Sequence, residues 1–511
     1  MTRLLTLPFL FVAMVLAPLV AHAYYPVDLD VTFTGGTGTG SFAPYYIASN
    51  NHGVVTQASN TLIGVKLGAG DSLGKHWSYR WGFETIGGYS SSVIYDRYDA
   101  ATGMWNENSQ HPSGIWLQQL FGRVDYRSLF LSAGMCNSES ALLNNRLSSG
   151  DMTEGPNARP IPQVRAGFND FQPVPFTDGW VEIQGEISYG KMADNGWLKN
   201  HTNRYNNHVC LGSLYTYKRC YLRTKYSKPL SLTVGMQVAG FFGGTTTTYR
   251  KGEVVGVVKH DSGIKEFFKM FIPTGGDEDY YLGSILGSWD IMFTYRLPKN
   301  GGVLKAYLEK PWETGSGIGF LNGFDGLWGI EYKAPRAGIV DGIVVEYLDF
   351  TNQSGPIHFD PTDIPDCDFP YHTDGGDEYY NNYTYNAYAN YGMSLGTPFL
   401  RSPIYNVDGF MGYVDNVVRG FHIGVSGTIS PRLSYRVLGG YRKGWGSIRI
   451  PRTESVYDTS MMVEAIYNSS IAGKDCIVTA RVGLDRGSMY GNTFGALVTV
   501  NYHTDLNIGR K

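Results

Sequence analysis

The clearest pattern along the chain is a strict two-residue alternation of apolar and polar side chains over residues 181–189. One face carries Val181, Ile183, Gly185, Ile187 and Tyr189, and the other carries Glu182, Gln184, Glu186 and Ser188. Because successive strand residues point to opposite faces, this segment predicts a strand with one apolar and one charged side. In a soluble sandwich the charged side would face water. In an outer-membrane barrel the apolar side would face lipid and the charged side the lumen.

The same alternation recurs over most of the chain and predicts on the order of 17 strands, within the range of single-chain outer-membrane barrels. Short connections, near Arg127 and at 430–432, alternate with long segments such as 241–287 and 352–418. Outer-membrane barrels share that asymmetry, with short periplasmic turns and long external loops. The pattern therefore predicts an all-β fold, an outer-membrane antiparallel β-barrel with short helical segments and long extracellular loops.

Three shorter patterns give local predictions. Residues 138–149 are rich in helix-forming side chains and end at Gly150, which predicts a short helix. Apolar residues at helical spacing within 262–272 predict a second short helix, packed within a loop. Residues 209–217 and 221–226 alternate on either side of a short gap and predict a hairpin.

The first 23 residues predict a secretory signal peptide. Arg3 precedes an apolar run, and Ala21, His22 and Ala23 form a small-x-small cleavage site, so cleavage is expected after Ala23. No later stretch reaches the roughly 20 apolar residues of a transmembrane helix. Residues 24–511 are then expected to form a single transmembrane β-barrel domain with occluding loops in the cell outer membrane.

Composition favours the barrel over soluble domains. The chain has 65 Gly and 37 Tyr, and its charged residues amount to 17%, below the roughly 25% usual for soluble domains. Few charges and many aromatic residues suit a barrel with aromatic girdles, a lipid-facing band and a polar lumen. A formal net charge of −3 gives no support for nucleic acid as a partner.

Charged residues of both signs lie opposite the apolar strand faces. They include Arg123, Asp125, Glu182, Glu186, Lys305, Glu309, Glu346 and Arg436, together with Glu331, Lys333, Arg442 and Arg481. In a barrel they must face the lumen, because an Arg or Lys facing lipid at the midplane costs roughly 2–4 kcal/mol. The balance of signs predicts a salt-bridge network that stiffens the wall or holds a plug, rather than a charge-selective channel. The alternative is a set of solvated strand faces in a soluble sandwich.

Candidate metal, redox and catalytic groups give no strong signal. The five cysteines form no CxxC pair, and a disulfide between Cys210 and Cys220 is left open. His358 and the acidic residues up to Asp368 match no EF-hand spacing, so a solvated acidic loop is favoured over calcium, and no metal or cofactor is predicted. Glu182 and Glu186 lie roughly 13 Å apart along a strand, wider than the roughly 5–9.5 Å of glycosidase pairs. The protein is therefore predicted not to be an enzyme.

One loop combines aromatic rings with side-chain amides. Its candidate polysaccharide-binding residues are Tyr379, Tyr380, Asn381, Asn382, Tyr383, Tyr385, Tyr388 and Tyr391. Sugars offer apolar C–H patches and hydroxyl groups, which suit flat aromatic faces beside hydrogen-bonding amides. An aromatic loop that packs as a lid would have the same composition.

Several sequence blocks resemble the Wzi family of outer-membrane capsule assembly proteins. They are MTEGPNARPIPQVRAGFNDFQPVPFTDGWVEIQGEISYG from Met152, LGSWD from Leu286, LWGIEYKAPRAGIVDGIVVEYLDFTNQSGP from Leu327, DEYYNNYTYNAYANYGMSLGTPF from Asp377 and NVVRGFHIGVSG from Asn416. NARPIP, TNQSG and GTPF are the most specific parts. The resemblance implies a barrel of about 18 strands, closed by outer loops, with a small helical element on the periplasmic side. Only two short helical candidates are present, fewer than a full periplasmic bundle needs.

The resemblance also implies a lectin-like role, in which the protein holds capsular or exopolysaccharide at the cell surface. A porin or specific diffusion channel is the first alternative, and an outer-membrane hydrolase is the second. The expected partners are capsular or exopolysaccharide and outer-membrane lipid, with the protein itself a monomer.

Overall fold

The computed structural model describes residues 25–271, 283–298, 301–313, 315–353, 358–359, 373–374, 377–471 and 473–508. The predicted signal peptide, residues 1–23, lies outside the described residues. So does most of the acidic loop at 358–368, of which only His358 and Phe359 are described.

A closed antiparallel barrel of 18 strands dominates the fold. The strands, in chain order, are β1 (Tyr25–Gly38), β2 (Asn60–Leu73), β3 (Trp77–Ser90), β4 (Ile115–Tyr126), β5 (Leu129–Met135), β6 (Gln163–Phe168), β7 (Val181–Lys191), β8 (Leu214–Thr224), β9 (Leu230–Phe242), β10 (Ser284–Arg296), β11 (Val303–Trp312), β12 (Gly326–Lys333), β13 (Gly342–Asp349), β14 (Val418–Ser430), β15 (Leu433–Gly446), β16 (Pro451–Ile471), β17 (Lys474–Gly487) and β18 (Thr493–Ile508). Each strand pairs with the next along the chain, and β1 pairs with β18 to close the cylinder. The predicted fold class is confirmed.

The outer surface of the barrel is an apolar band. Strand residues that point outward and remain exposed include Phe33, Ile63, Leu131, Leu222, Phe293, Ile330, Val345, Ile423, Val463, Val482 and Val498. On β14 the alternation is plain, because Phe421 and Ile423 are exposed while Gly420 and His422 between them are buried. Such a band suits a hydrocarbon environment rather than water.

The two ends of the barrel differ. At one end the connections are short, as at 127–128 and 431–432, and Arg127 takes the left-handed conformation (φ 54°) that its tight turn requires. At the other end, here called the long-loop end, lie the connections 39–59, 91–114 and 350–417 among others. Both tight turns that the sequence predicted are present.

The loops carry small elements of their own. The helices are Tyr45–Ala48, Asn195–His201, Ile264–Phe271 and Gly315–Ile318, with a 3₁₀ turn at Pro403–Tyr405. The extra strands are Val93–Asp99 paired with Met104–Gln110, a three-stranded sheet of Asn207–Leu211, Thr245–Arg250 and Glu253–Lys259, and the short strands Gln172–Pro173, His358–Phe359, Thr373–Asp374, Ala389–Asn390 and Met393–Ser394. No helix among the described residues is long and apolar enough to cross a bilayer.

Of the three local predictions, two need correction and one is confirmed. The helix Ile264–Phe271 confirms the prediction for 262–272. Residues 138–149 form no helix, because side chains such as Asn144, whose Oδ1 accepts hydrogen bonds from Arg146 N (3.0 Å) and Leu147 N (3.1 Å), hold the backbone in turns instead.

The predicted hairpin at 209–217 and 221–226 is also wrong. Strand β8 runs without interruption through residues 217–221, and the hairpin turn lies at 225–229, between β8 and β9. Cys210 lies in the small three-stranded sheet and Cys220 in the barrel wall, and both are free thiols. A disulfide between them is therefore absent from this structure.

The sequence pattern also missed strand β16, the longest in the barrel. Its first half carries Thr453, Glu454 and Ser455 in succession, so it is polar on both faces and shows no hydrophobic alternation; the outward side becomes apolar only at Met461 and Val463. Pairing with β15 at Pro451 and from Val456 onward, and with β17 from Asp458 onward, holds the strand in the sheet on both sides of this polar stretch. Two of the roughly 17 predicted strands belong to the single strand β8, and the prediction also lacked β6. With these changes and β16, the strand number is the 18 that the family resemblance implied.

Residues 136–162, the plug segment, run through the interior of the barrel. On one side, Ser148 Oγ and Ser149 N both donate to the carboxylate of Glu346 on β13, at 2.6 and 2.7 Å. Next to it, Leu147 O lies 2.7 Å from His422 Nε2 on β14. These contacts bind the plug segment to one wall.

The plug segment is held equally firmly on the far side. Arg165 on β6 pairs with Glu154 at 3.0 Å, and Gln237 on β9 donates to Asp151 at 3.0 Å. Because β6 and β14 are eight strands apart in an 18-stranded ring, the anchor at Arg165 lies almost opposite the one at His422, and Gln237 on β9 lies between them. The plug segment therefore crosses the lumen from wall to wall.

A second segment, residues 377–417, covers the plug segment from the long-loop end and is here called the lid. Asn157 of the plug donates to Ser394 O of the lid at 2.8 Å, and Tyr388 Oη donates to Thr153 O at 2.7 Å. Plug, lid and wall share one hydrophobic cluster, in which Tyr385 and Leu400 are fully buried. The described part of the interior is thus packed rather than open.

Candidate functional site

A cavity of about 400 Å³ opens at the long-loop end, between the lid, the small three-stranded sheet and the turn after β15. We call it the asparagine pocket. Its walls combine five side-chain amides, two carboxylates, one guanidinium and three rings: Asn206, Asn207, Asn381, Asn382, Asn386, Glu378, Asp408, Arg449, Tyr383, Phe410 and Tyr413. Amides beside aromatic faces are the combination that hydrogen-bonds and stacks on sugars.

An exposed stack forms one rim of the pocket. The guanidinium of Arg449 lies over the ring of Tyr383, 3.7 Å from its centre, and Arg449 Nε pairs with Glu378 at 2.8 Å. Half of the Arg449 side chain and 59% of Tyr383 remain exposed, so both are open to a ligand. The ion pair holds the arginine in place over the ring.

The floor of the pocket is held rigid by the asparagines themselves. Asn381 exchanges two hydrogen bonds with the backbone of Tyr413, at 2.8 and 3.0 Å. Asn382 Oδ1 accepts from the backbone of Thr384 and Tyr385, both at 2.9 Å, and so closes a turn. Within the described residues its amide nitrogen donates no hydrogen bond, which leaves that donor for a ligand.

A third asparagine ties the lid to the small sheet. Asn386 pairs with the backbone of Cys210 like a neighbouring strand residue, accepting at 2.8 Å and donating at 2.6 Å. His208 Nε2 meets Tyr385 O at 2.7 Å on the same edge. The pocket therefore stands on fixed backbone rather than on loose loops.

The structure divides the eight predicted saccharide-binding residues into two groups. Asn381, Asn382 and Tyr383 line the pocket. The remaining tyrosines do not: Tyr379, Tyr380, Tyr385 and Tyr388 are buried, and Tyr391 packs against Arg159 at 4.8 Å. As placed here the four buried tyrosines are out of reach of a surface glycan, and the interpretation of the loop as a packed lid describes them better, whereas Tyr391 is half-buried.

The buried tyrosines join the lid to the plug and the wall. Tyr379 Oη donates to Asp325 at 2.9 Å, and Tyr380 Oη donates to the backbone of Met152 in the plug segment. Burial raises the pKa of both phenols, so they remain neutral donors at any physiological pH. Their hydrogen bonds satisfy groups that would otherwise be buried and unpaired.

All eight predicted lumenal charges point into the barrel. Their partners are Arg123 with Asp125 (2.9 Å), Glu182 with Arg223 (2.6 Å), Glu186 with Arg165 (2.7 Å) and Arg219 (3.2 Å), Lys305 with Glu331 (2.8 Å), Arg436 with Glu464 (2.7 Å), Glu346 with the plug segment and Glu309 with Met152 N (2.9 Å). Each carboxylate thus meets an opposite charge or a hydrogen-bond donor. Glu182 and Glu186 both serve in such ion pairs, which is a structural use of these carboxylates rather than a catalytic one.

One group of side chains in the described part of the chain has the geometry to hold a metal ion. Asp28, His503 and Asp505 face one another across the β1–β18 seam, with ligand atoms within 4.8 Å of one another. His503 already pairs with Asp30 at 2.9 Å, and the cluster lies partly exposed at the short-turn end. Ion pairing explains this group without a metal.

Asp194 joins the helix Asn195–His201 to the lid and makes the stability of the folded protein depend on pH. It precedes the helix Asn195–His201 and accepts a hydrogen bond from Tyr391 N at 3.2 Å, while its other oxygen is buried without a partner. Burial raises the pKa of Asp194 to about 7. The folded protein therefore binds a proton more tightly at this site than the unfolded chain, whose pKa is about 3.9.

The substitution Asp194→Asn should remove this pH dependence. Between about pH 4 and 7 the wild type should lose up to about 1.4 kcal/mol of stability per pH unit from this site, because the buried carboxyl must ionise. The free energy of unfolding of the variant should therefore rise relative to that of the wild type as the pH increases from about 4 to about 7. Unfolding midpoints at pH 4 and pH 8 check this, with the exposed Asp408→Asn as the control for an equal change of charge. If the difference between the unfolding midpoints of variant and wild type is the same at pH 4 and at pH 8, the prediction is wrong.

Half of the pocket was not visible in the sequence. Asn206, Asn207, Asp408 and Arg449 come from three separate segments, none of which shows a motif. The tyrosine-rich loop gave a local signal because its aromatic and amide residues are contiguous. The other side chains reach the pocket only through the folding of the lid over the small sheet.

No protein-family model matches the sequence, and no curated protein matches it either. Among solved structures, Wzi of Escherichia coli, described as a carbohydrate-binding β-barrel of the outer membrane involved in group 1 capsule assembly, is 11% identical over 94% of this chain and 85% of its own, with a TM-score of 0.54. OccK8 (OprE) of Pseudomonas aeruginosa is 10% identical over 95% of this chain and 100% of its own, with a TM-score of 0.46. OccK3 (OpdO) of the same organism is 10% identical over 94% of this chain and 96% of its own, with a TM-score of 0.42. At such identities the likeness shows the fold, that of an outer-membrane β-barrel.

Proposed function

We propose that this protein is an occluded outer-membrane barrel that binds and anchors capsular or exopolysaccharide at the cell surface. The observation that carries the proposal is the asparagine pocket, with its amides, its carboxylates and the exposed Arg449–Tyr383 stack. The fold likeness to a carbohydrate-binding barrel and the family resemblance of the sequence support it. In this proposal the protein is a Wzi-type monomer, exported by its signal peptide, and its apolar band lies in outer-membrane lipid.

The orientation of the barrel favours a ligand from outside the cell. Barrels of this kind direct their long loops outward, and the pocket lies at the long-loop end. The plug segment and the lid separate it from the opposite mouth. A polymer held there would stay on the outer side, as anchoring requires, and would not pass through the wall.

Binding of purified protein to the surface polysaccharide of its own cells tests the proposal. Replacing Asn382 and Tyr383 together by Ala should weaken binding on the order of tenfold or more, because a hydrogen bond and a stacking face are lost together. Tyr457→Ala, at an exposed tyrosine on the outer wall, is the matched control and should bind as the wild type does. Equal binding by all three proteins would contradict the pocket as the site.

The same variants give a test in cells. A strain that carries the pocket variant, or lacks the protein, should release polysaccharide into the medium, whereas the Tyr457→Ala strain should retain it. Unchanged surface polysaccharide in the deletion strain would contradict anchoring. A hydrolase would instead show an activity that is lost in Glu182→Gln while the barrel still folds.

A further inference from the structure

A three-ring aromatic platform stands beside the asparagine pocket at the tips of two loops. The rings of Tyr98, Trp105 and Tyr205 are mutually in contact, with centroids 4.8 to 5.3 Å apart. Half of the Trp105 side chain is exposed. Tyr205 directly precedes Asn206 of the pocket wall, so the platform adjoins the pocket along the chain.

Two arginines flank this platform and lie close together. Tyr98 N donates to Asn203 O at 2.8 Å, so the peptide unit after Arg97 is bonded to the peptide unit before Arg204. Within the described residues neither guanidinium donates a hydrogen bond or pairs with a carboxylate, and Arg204 Nε is buried without an acceptor. The nearby carboxylate of Asp99 is occupied by its own turn, accepting from Ala101 N and Thr102 Oγ1 at 3.0 Å each.

This pair is unlike the arginines of the barrel interior. There Arg165, Arg223 and Arg436 each meet a carboxylate within about 3 Å. Partial burial, and then the charge of Arg204, hold the pKa of Arg97 below its ordinary value. Two adjacent guanidiniums with an unsatisfied buried donor form a site that an oxyanion would stabilise, since the guanidinium fork matches a carboxylate or phosphate.

The backbone at Arg204 gives an independent indication. Arg204 has φ 57°, in the left-handed region where glycine is favoured over residues with a Cβ. Thr202 and Asn203 hold this turn through side-chain hydrogen bonds to Arg204 N and Tyr205 N, at 3.2 and 3.0 Å. An arginine kept in a conformation that suits glycine suggests that its side chain serves a purpose.

We infer that Arg97 and Arg204 form a subsite for an oxyanion carried by a saccharide, beside a stacking platform of Tyr98, Trp105 and Tyr205. The inference rests on the proposed function and narrows it to an acidic polysaccharide. The ligand is extended: a sugar stacked on the platform presents its carboxylate or phosphate to the two arginines, while a neighbouring sugar occupies the asparagine pocket.

The test measures binding of full-length protein, in detergent micelles, to surface polysaccharide extracted from the producing cells. Three forms of the polysaccharide are used: native, with its carboxyl groups reduced to alcohols, and with its phosphate groups removed. Arg97→Gln with Arg204→Gln should bind the native form on the order of tenfold more weakly than the wild type does. Wild type and variant should bind equally to the polysaccharide form that lacks the recognised oxyanion. Equal binding to the carboxyl-reduced form identifies that oxyanion as a carboxylate, and equal binding to the phosphate-free form identifies it as a phosphate.

Two further variants separate recognition from folding. Arg336→Gln removes an exposed arginine at the short-turn end and should bind as the wild type does. Arg204→Gly removes the guanidinium but relieves the left-handed backbone, so it should fold at least as stably and still bind the native form more weakly. Loss of binding by Arg204→Gly in a protein of undiminished stability excludes a merely structural role.

Several results would overturn the inference. In the first, the Arg97→Gln, Arg204→Gln variant binds the native polysaccharide within about twofold of the wild type, while the Asn382 and Tyr383 variant has lost binding. The proposed function then stands without the oxyanion subsite. Another is equal weakening on all three polysaccharide forms, or an equal loss in Arg336→Gln. Wild-type protein that binds none of the three forms overturns the inference and the proposed function together.

Discussion

Purified protein in a planar bilayer should pass little current, and replacement of residues 141–149 by a flexible Gly-Ser linker of equal length should raise the conductance on the order of tenfold or more. The physical reason is that a barrel of 16–18 strands leaves an aqueous channel unless something fills it. Here the plug segment fills it, bonded to Glu346 on β13 and, through Glu154, to Arg165 on β6. Single-channel recording in lipid of defined composition measures the change directly.

A point substitution tests the same prediction with less risk that the barrel misfolds. Glu346→Ala removes the acceptor of Ser148, Ser149 and Tyr307 without shortening the chain. It should give brief openings on a closed baseline, because the plug segment keeps its anchors on the far wall. Lys333→Ala, at an exposed residue near the short-turn end, is the control and should stay closed. Wild-type protein that conducts steadily, like an open porin, would contradict the occluded barrel and favour the diffusion-channel alternative.

Replacing Arg442 by Met should destabilise the folded protein by about 3–5 kcal/mol, because it leaves a buried charge without its partner. Arg442 is 2% exposed and Asp458 is fully buried; they pair at 3.3 Å, and Ser460 Oγ donates to the same carboxylate at 2.5 Å. The guanidinium also lies against the rings of Tyr45 and Tyr490, 3.6 and 4.7 Å from their centres. Urea unfolding in detergent, followed by tryptophan fluorescence, measures the loss.

A second substitution distinguishes the lost ion pair from lost packing. Adding Asp458→Asn to Arg442→Met removes the unpaired buried charge. The double variant should therefore regain a large part of the stability if the ion pair is the cause, and should regain little if the loss comes from the smaller volume of methionine. Arg486→Met, at an exposed arginine on β17, should change stability by less than about 0.5 kcal/mol. An Arg442→Met variant as stable as the wild type would show that the pair contributes nothing to the fold.

The strands were predictable where one face is uniformly apolar. Residues 181–189 alternate without a break, and β7 occupies Val181–Lys191. The two-residue alternation can be recognised in the sequence because every outward position in the membrane must be apolar to face lipid. Strand β16 was missed because its first half, around Glu454, carries polar residues on both faces, and its continuous pairing with neighbouring strands runs only from Val456 onward.

The interior was harder to predict, because no periodic rule governs it. Residues 138–149 have the composition of a helix, yet Asn144 and Ser148 bond to the barrel wall and to local backbone instead. Wall contacts of this kind join residues almost 200 positions apart. A local propensity of a few tenths of a kcal/mol per residue does not compete with buried polar groups that must find partners.

The tyrosine-rich loop shows the same limit at the candidate site. Composition identified the loop but could not separate Tyr383, which is exposed, from Tyr385, which is fully buried two residues later. The difference comes from the small sheet beneath, where the backbone of Tyr385 contacts His208. Arg449, which completes the stack on Tyr383, lies too far away in sequence to be associated with it.

Two of the three most specific blocks of the family resemblance, NARPIP and GTPF, meet at the plug–lid interface, not in the pocket. Asn390 donates to Arg159 O at 2.9 Å, and Gly150 lies so close to Pro398 that a Cβ there would approach it to 2.7 Å. Arg159 and Pro398 belong to the NARPIP and GTPF blocks. The resemblance therefore bears more directly on how the barrel is filled than on which glycan it binds.

A segment bonded to nearly opposite walls acts as a cross-brace. An empty cylinder of this circumference can flatten into an ellipse under lateral pressure, whereas a strut anchored at both Arg165 and His422 resists any change in that diameter. The loops at the rim should consequently keep their mutual spacing when the surrounding bilayer thins, thickens or is exchanged for a micelle.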